Sequence, residues 1–441
     1  MEKRKEFFKT LILSFLVVSS ILLTFNIAGY KPKYDILGTT QDKKTENQDY
    51  AKLKSNSLNL LSPDIIIETN SNYREEQAIP LAITKLSNVN AIKDRAVIKN
   101  ILSTVASNNI EETRFRNKPI SEVLKDYNKI YTFRYKHYID TISSKLIYLG
   151  ENNSNTKFDF DTVILVDNKP NNIYLYKEGI DNYFQIELDN NIFEKIEKEF
   201  EQHKKSYYKY SIDGIKKIYI EDKEDYYIDI YSYDEIDLRD VSNDIFLRNS
   251  NVKYSNIIDD NKEVTDGYSI LRKSDNAITY INPSNISETK NNTDIQSRAA
   301  SFLVYRYLPN NDYSILDIIG NEIVYKEIYK GSSVYSKDYS SSIKINVSSE
   351  GIYNVKYPLI IKNNLLSSEK MKEGSLENIS AIMNYLYYNT NLNDVEDIEL
   401  SYDKTYSKNK TFIYTPNWYI KYKGKYISYS DLKIKISRGE V

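Results

Sequence analysis

Only two histidines, His137 and His203, stand in this chain, and there is no cysteine. Neither histidine has a second one at metal-ligand spacing, and no HExxH helix motif can be written. The missing cysteines remove thiolate catalysis, disulfides, iron–sulfur clusters, cysteine zinc sites and a lipoprotein anchor. Twelve scattered glycines make no phosphate loop, and no GxSxG elbow is present. A serine nucleophile beside a lysine base can be written as Ser367–Lys370 and Ser407–Lys410. The neighbouring motifs that such chemistry uses are missing, and Ser-x-x-Lys recurs elsewhere in a chain so rich in both residues. Acidic groups cluster at Asp159 and Asp161 and again from Glu221 to Asp225. Such runs are more often solvated faces than metal sites. The chain reads as a non-enzyme with no cofactor and no bound metal.

The elements that would position any site come from a chain of 441 residues, 41% hydrophobic and 28% charged. That is a globular composition with room for two or three domains. Sixty basic residues oppose sixty-two acidic ones. A balance so even leaves no basic stripe for phosphates and argues against nucleic acid as a partner. Tyrosine is abundant, with 42 copies. It suits half-buried strands whose rings cover a sheet while the hydroxyl stays wet.

Residues Thr10 to Tyr30 carry no charge and follow Lys3, Arg4, Lys5 and Lys9. At ~1.5 Å per residue they span ~30 Å, the thickness of a hydrocarbon core. The basic flank places the N-terminus in the cytoplasm and the rest outside a plasma membrane crossed once. The apolar run is too long for a signal peptide and lacks a good small-x-small cleavage site. Ser20, Thr24 and Ala28 form a small-residue ladder that would admit a neighbouring helix. Ser19 and Asn26 lie on the opposite side, where Asn26 would seek a hydrogen bond.

Residues 31–60 are polar and read as a stalk. A strand is expected at Asp64–Glu68, then helices at Ile79–Leu86, Asp94–Val105 and Ile120–Tyr131. Strands follow at Val163–Val166, Ile173–Tyr176 and Tyr183–Leu188, then a helix at Ile192–His203. The runs Ile215–Ile220 and Tyr226–Tyr233 read as one hairpin. Asp266-Gly267 signals a turn, Asn282-Pro283 a strand stop, and Ile295–Tyr307 a helix. Strands at Ile315–Ile319, Ile323–Tyr329, Ile343–Val347 and Tyr353–Leu359 precede a helix at Leu376–Tyr388. Strands at Asp397–Tyr402, Phe412–Lys421 and Tyr426–Tyr429 end the chain. This order predicts an α+β body of antiparallel sheets flanked by helices.

Several segments, in order, resemble the YycH family. They are the anchor SFLVVSSILLTFNIAGYKPKY, Ser62-Pro63-Asp64-Ile65-Ile66, Asp244-Ile245-Phe246-Leu247, and Thr265-Asp266-Gly267-Tyr268 followed by Tyr280-Ile281-Asn282-Pro283. Tyr329 to Tyr335 resembles a further strand, with Ser333 in place of the usual proline. Thr415-Pro416-Asn417-Trp418-Tyr419-Ile420 resembles a segment shared with the sister family YycI. The resemblance implies three extracytoplasmic domains at 61–208, 209–310 and 311–441, the last YycI-like. It implies a regulatory role beside a two-component system of cell-wall homeostasis. The partners would be a WalK/YycG-like sensor histidine kinase, a YycI-like protein and the membrane, with room for a dimer. The competing reading is an extracytoplasmic module that binds cell wall or peptide. The motifs read as fold markers, and Trp418 as a core ring on a strand.

Overall fold

The computed structural model of the chain describes residues 43–71, 83–140, 158–212, 216–221, 225–246, 253–256, 262–274, 277–285, 295–338, 340–407 and 409–440. The expected anchor, and with it Ser19, Ser20, Thr24, Asn26 and Ala28, lies outside them. Among the described residues no helix is long and apolar enough to cross a membrane.

The first sheet has nine strands: β1 (Ile65–Asn70), β2 (Ile83–Ile92), β3 (Ile110–Arg116), β4 (Lys129–Asp140), β5 (Asp159–Val166), β6 (Asn172–Tyr176), β7 (Tyr183–Leu188), β8 (Lys205–Ile212) and β9 (Lys216–Glu221). Their order is β3-β7-β6-β5-β4-β1-β2-β8-β9, antiparallel throughout. The second sheet has fourteen. They begin with β10 (Tyr227–Glu235), β11 (Lys253–Asn256), β12 (Lys262–Thr265), β13 (Ile270–Lys273), β14 (Ala277–Ile281), β15 (Asp312–Ile319) and β16 (Glu322–Tyr329). They continue with β17 (Ser332–Tyr335), β18 (Ser342–Ser348), β19 (Gly351–Pro358), β20 (Ile360–Lys370), β21 (Val395–Ser407), β22 (Thr411–Tyr422) and β23 (Lys425–Ser428). Its order is β11-β12-β13-β14-β19-β18-β16-β17-β21-β22-β10-β20, with β15 on β16 and β23 on β22. One pair, β17 with β21, is parallel. The α+β class with predominantly antiparallel sheets is as the sequence predicts.

Helices cover these sheets: α1 (Lys43–Leu61), α2 (Arg95–Ala106), α3 (Phe193–His203), α4 (Leu238–Ile245), α5 (Ile295–Tyr305), α6 (Ile379–Asn389) and α7 (Tyr429–Ser437). Lys52–Val441 is one compact unit. Its largest core runs from Ile98, Ile101 and Leu102 of α2 through Phe133 and Leu165 of the first sheet. It continues to Ile345, Val355 and Tyr414 of the second. A second core joins Ile218 and Ile220 of β9 to Ile382 and Leu386 of α6, Trp418 of β22 and Leu432 of α7.

Four sequence expectations need correction. The stalk contains α1, whose last residues are buried. Buried polar residues disguise that helix: Asn56 donates to the Val304 carbonyl at 3.1 Å, and Asn59 accepts from Lys99 at 3.0 Å. The helix expected at Ile79–Leu86 gives way from Ile83 to β2, because β8 pairs with that segment and claims its backbone groups. Ile120–Tyr131 holds only a 3₁₀ turn, Ile120–Glu122, after Pro119, and β4 starts at Lys129. Its apolar residues instead fill a small core with Ile164 and Tyr174. The hairpin of the 215–233 region does not form: β9 pairs with β8, while β10 lies in the other sheet between β20 and β22. Alternation gives a strand its faces but says nothing of its neighbours.

Candidate functional site

The two sheets meet where β4, β9, β21 and the β16–β17 turn converge. Asp94 caps α2, its carboxylate accepting from the Ala96 and Val97 amides, and so fixes Lys93 just before the helix. The turn presses against that point through Gly331. Its φ is +75°, and a Cβ there would lie 2.3 Å from the Lys93 carbonyl oxygen. Only glycine allows both the left-handed backbone and the approach.

Behind this contact is a cavity of about 420 Å³, lined by Lys93, Lys136, His137, Asp397, Glu399 and Tyr426 among others. On β21, Asp397 and Glu399 are two residues apart and so share a face. Lys136 of β4 contacts Glu399 and lies 3.9 Å from Asp397. Tyr335 donates to Glu399 at 2.8 Å, and Tyr426 donates to Asp397 at 2.8 Å. Burial holds both hydroxyls well above the usual phenol range, so they stay protonated donors. The Tyr335 ring stacks on Tyr419 with centroids 3.7 Å apart. Lys93 reaches across to donate to the Tyr219 carbonyl at 2.8 Å.

Protonation follows this geometry. Burial lowers Lys93, and the neighbouring Lys136 ammonium lowers it further. Burial also works against Lys136, but Glu399, Asp397 and Asp64 outweigh it and raise its pKa. Burial raises Asp397 against the pull of Lys136, and the Glu399 charge adds to the rise, whereas at Glu399 Lys136 and the Tyr335 and Ser401 hydrogen bonds together outweigh burial and lower that carboxyl. Burial lowers His137, whose ring nitrogen hydrogen-bonds to the Leu316 carbonyl. A neutral histidine donating there is a structural strut between β4 and β15.

A second polar cluster lies in the second sheet. Buried Asp229 accepts from Tyr329 at 2.8 Å, Lys330 at 2.6 Å and Ser368 at 2.6 Å. These bonds outweigh burial and lower its pKa. Elsewhere on β16, Lys326 is 8% exposed, with its ammonium 4.6 Å from the centre of the Tyr335 ring. Burial lowers Lys326 to about 8 from the usual 10.5. In that window the unfolded chain binds more protons than the folded one, so this lysine's contribution to stability rises with pH. Relative to Lys326→Met, the wild type should therefore gain ~3 kcal/mol of stability from neutral pH to the top of the window. Urea unfolding of both at several pH values measures this; parallel curves would contradict it.

The residues singled out from sequence fall as follows. Ser367 and Lys370 stand three apart on a strand and face opposite sides; Ser367 bonds Glu369 and Lys370 pairs with Asp225. Ser407 ends β21 and Lys410 sits in the following turn at φ 53°. Asp161 accepts from Thr162 and the Glu178 amide, and Glu221 pairs with Lys205. His203 hydrogen-bonds the Glu199 carbonyl within its own helix. Among the described residues no group of three or more His, Asp or Glu is arranged to hold a metal ion. Asp266 accepts from the Tyr268 and Ser269 amides at the β12–β13 turn, with Gly267 at φ 91°. Asn282 accepts from Ser284 and stops β14. Trp418 is buried. Sequence reasoning missed Lys93, Lys136, Asp397 and Glu399, because a polar alternation on one strand looks the same whether it faces solvent or a second sheet.

No protein-family model matches the chain, and no curated protein matches it in sequence. Among solved structures, an uncharacterized protein from Eubacterium rectale aligns with a TM-score of 0.29 at 12% identity, covering 48% of this chain and 84% of that one. That is too low to carry an argument. The crystal structure of YycH from Bacillus subtilis aligns with a TM-score of 0.58 at 14% identity, covering 85% of this chain and 96% of that one. The chain has the fold of YycH.

Proposed function

We propose that this protein is a membrane-anchored accessory regulator of a cell-wall-related sensor histidine kinase. The observation that carries the reading is the shared fold, which accounts for 96% of the solved YycH chain. The ordered YycH-like motifs support it, since the Asp266-Gly267 turn, the Asn282 stop and Trp418 hold structural positions in that fold. In this reading residues 10–30 cross the plasma membrane once and the body lies outside the cell. The partners are a WalK/YycG-like kinase and a YycI-like protein. Divisions near 208 and 310 remain part of the proposal, and β14 pairs with β19 across the second of them.

Contact within the membrane falls to the Ser20–Thr24–Ala28 face, because only small side chains let helix backbones approach closely. Replacing all three with Leu keeps the segment insertable but pushes a neighbour outward. Such a variant should reach the membrane in normal amount yet lose crosslinking to the kinase or the YycI-like protein. Ser19→Leu with Asn26→Leu is the control for the opposite face. Unchanged crosslinking in the first and loss in the second would move the contact to Asn26.

A further inference from the structure

We propose that the cavity between the two sheets binds a small zwitterion, an amino acid or short peptide, with its carboxylate on Lys93 and its ammonium on Asp397. At about 420 Å³ the space is of the size that small-molecule sites occupy. Most charges around it are already matched. Lys136 belongs to Glu399, Lys421 pairs with Glu396 at 3.1 Å, and Arg134 pairs with Glu178 at 2.7 Å. Lys216 donates to the Val395 and Asn393 carbonyls, and Asp64 accepts from Ser314 and the Lys136 amide.

Apart from the solvent-exposed Lys217, two charges of opposite sign are the least fully matched. Lys93 has a backbone carbonyl but no carboxylate within ion-pair distance; Asp397 accepts from the Tyr426 hydroxyl and the Ile398 amide, but its only cation within ion-pair distance among the described residues is Lys136 at 3.9 Å, which sits closer to Glu399. The Asp397 side chain is 24% exposed against 11% for Glu399, so it is the carboxylate open to the cavity. Lys93 and Asp397 both line this space, with no ion pair between them. A simple anion entering here would meet Asp397 and Glu399, and a simple cation would meet Lys93 and Lys136. A molecule carrying both signs meets an opposite charge at each end and replaces water at two under-compensated groups.

This inference goes beyond the regulatory reading and does not rest on it. The test is calorimetric titration of the full-length protein in detergent micelles with Ala-Ala, acetyl-Ala-Ala and Ala-Ala amide. Ala-Ala should bind, and each blocked peptide should bind at least tenfold more weakly. Lys93→Met and Asp397→Asn should each weaken Ala-Ala at least tenfold, while Lys195→Met, at an exposed lysine of α3 away from the cavity, should not. The blocked peptides keep the test decisive even where a variant folds poorly, because they are measured on the wild-type chain. Absence of Ala-Ala binding, or equal binding of the blocked peptides, would overturn the proposal.

Discussion

Replacing Lys404 with Met should cost ~3–5 kcal/mol of stability, because it leaves Glu327 as a buried charge without its counter-ion. The pair is 2.9 Å apart, with side chains 0% and 2% exposed. Tyr414 also donates to Glu327, and the Lys404 ammonium lies 4.6 Å from the centre of the Phe412 ring. The three groups tie β16 to β21 and β22 inside the second sheet. Removing one ion forfeits the attraction while the other still bears its desolvation. Replacing both ions should behave differently. Glu327→Leu with Lys404→Met fills the space with apolar groups and should recover most of the loss, to within ~1–2 kcal/mol of wild type. Chemical denaturation followed by the fluorescence of the single tryptophan measures both. A mild single variant, or a double variant as damaged as the single, would contradict this account of the pair.

A similar loss is expected for Trp418→Ala, again ~3–5 kcal/mol. Trp418 is 2% exposed and packs in the core formed by Ile382, Leu386 and Leu432. Its indole also donates to the Glu377 carbonyl at 2.9 Å, just before α6. The ring therefore holds α6 and α7 on β22. Trp418→Phe keeps much of the apolar area but leaves that carbonyl without its donor, a loss of ~1–3 kcal/mol where water cannot replace the donor. Circular dichroism on heating separates the two variants. A near-neutral alanine change would point to a surface role for Trp418.

The parts legible in the sequence were those in which one segment decides its own structure. Asp94 followed by an apolar stripe gave α2 almost to the residue, and Ile192–His203 gave α3. The Asp266-Gly267 turn was equally plain, because its bonds are local. Elements decided by distant partners were missed or misread. Asn56 and Asn59 of α1 look solvated until Val304 and Lys99 supply their bonds. Tyr227–Glu235 looks like the mate of β9 until Asp229 is found buried against Tyr329, Lys330 and Ser368.

The cavity was invisible for the same reason. Lys93, Lys136, Asp397 and Glu399 come from three distant stretches of chain, and only the packing of one sheet on the other brings them together. Nothing in their spacing along the sequence sets them apart from surface charges. Gly331 was the one local signal, since a glycine in a strand pattern marks a bulge or a close approach. Its position in the Tyr329 to Tyr335 motif fits that role.

The regulatory role itself is tested most directly by kinase output. Phosphorylation of the cognate response regulator should be measured in cells that carry the full-length protein, in cells that lack it, and in cells that carry the Ser20/Thr24/Ala28→Leu variant. Loss of the protein should change the phosphorylated fraction several-fold, and the Leu variant should match the loss despite normal membrane levels. Identical phosphorylation in all three, with the kinase present and active, would contradict the proposed function.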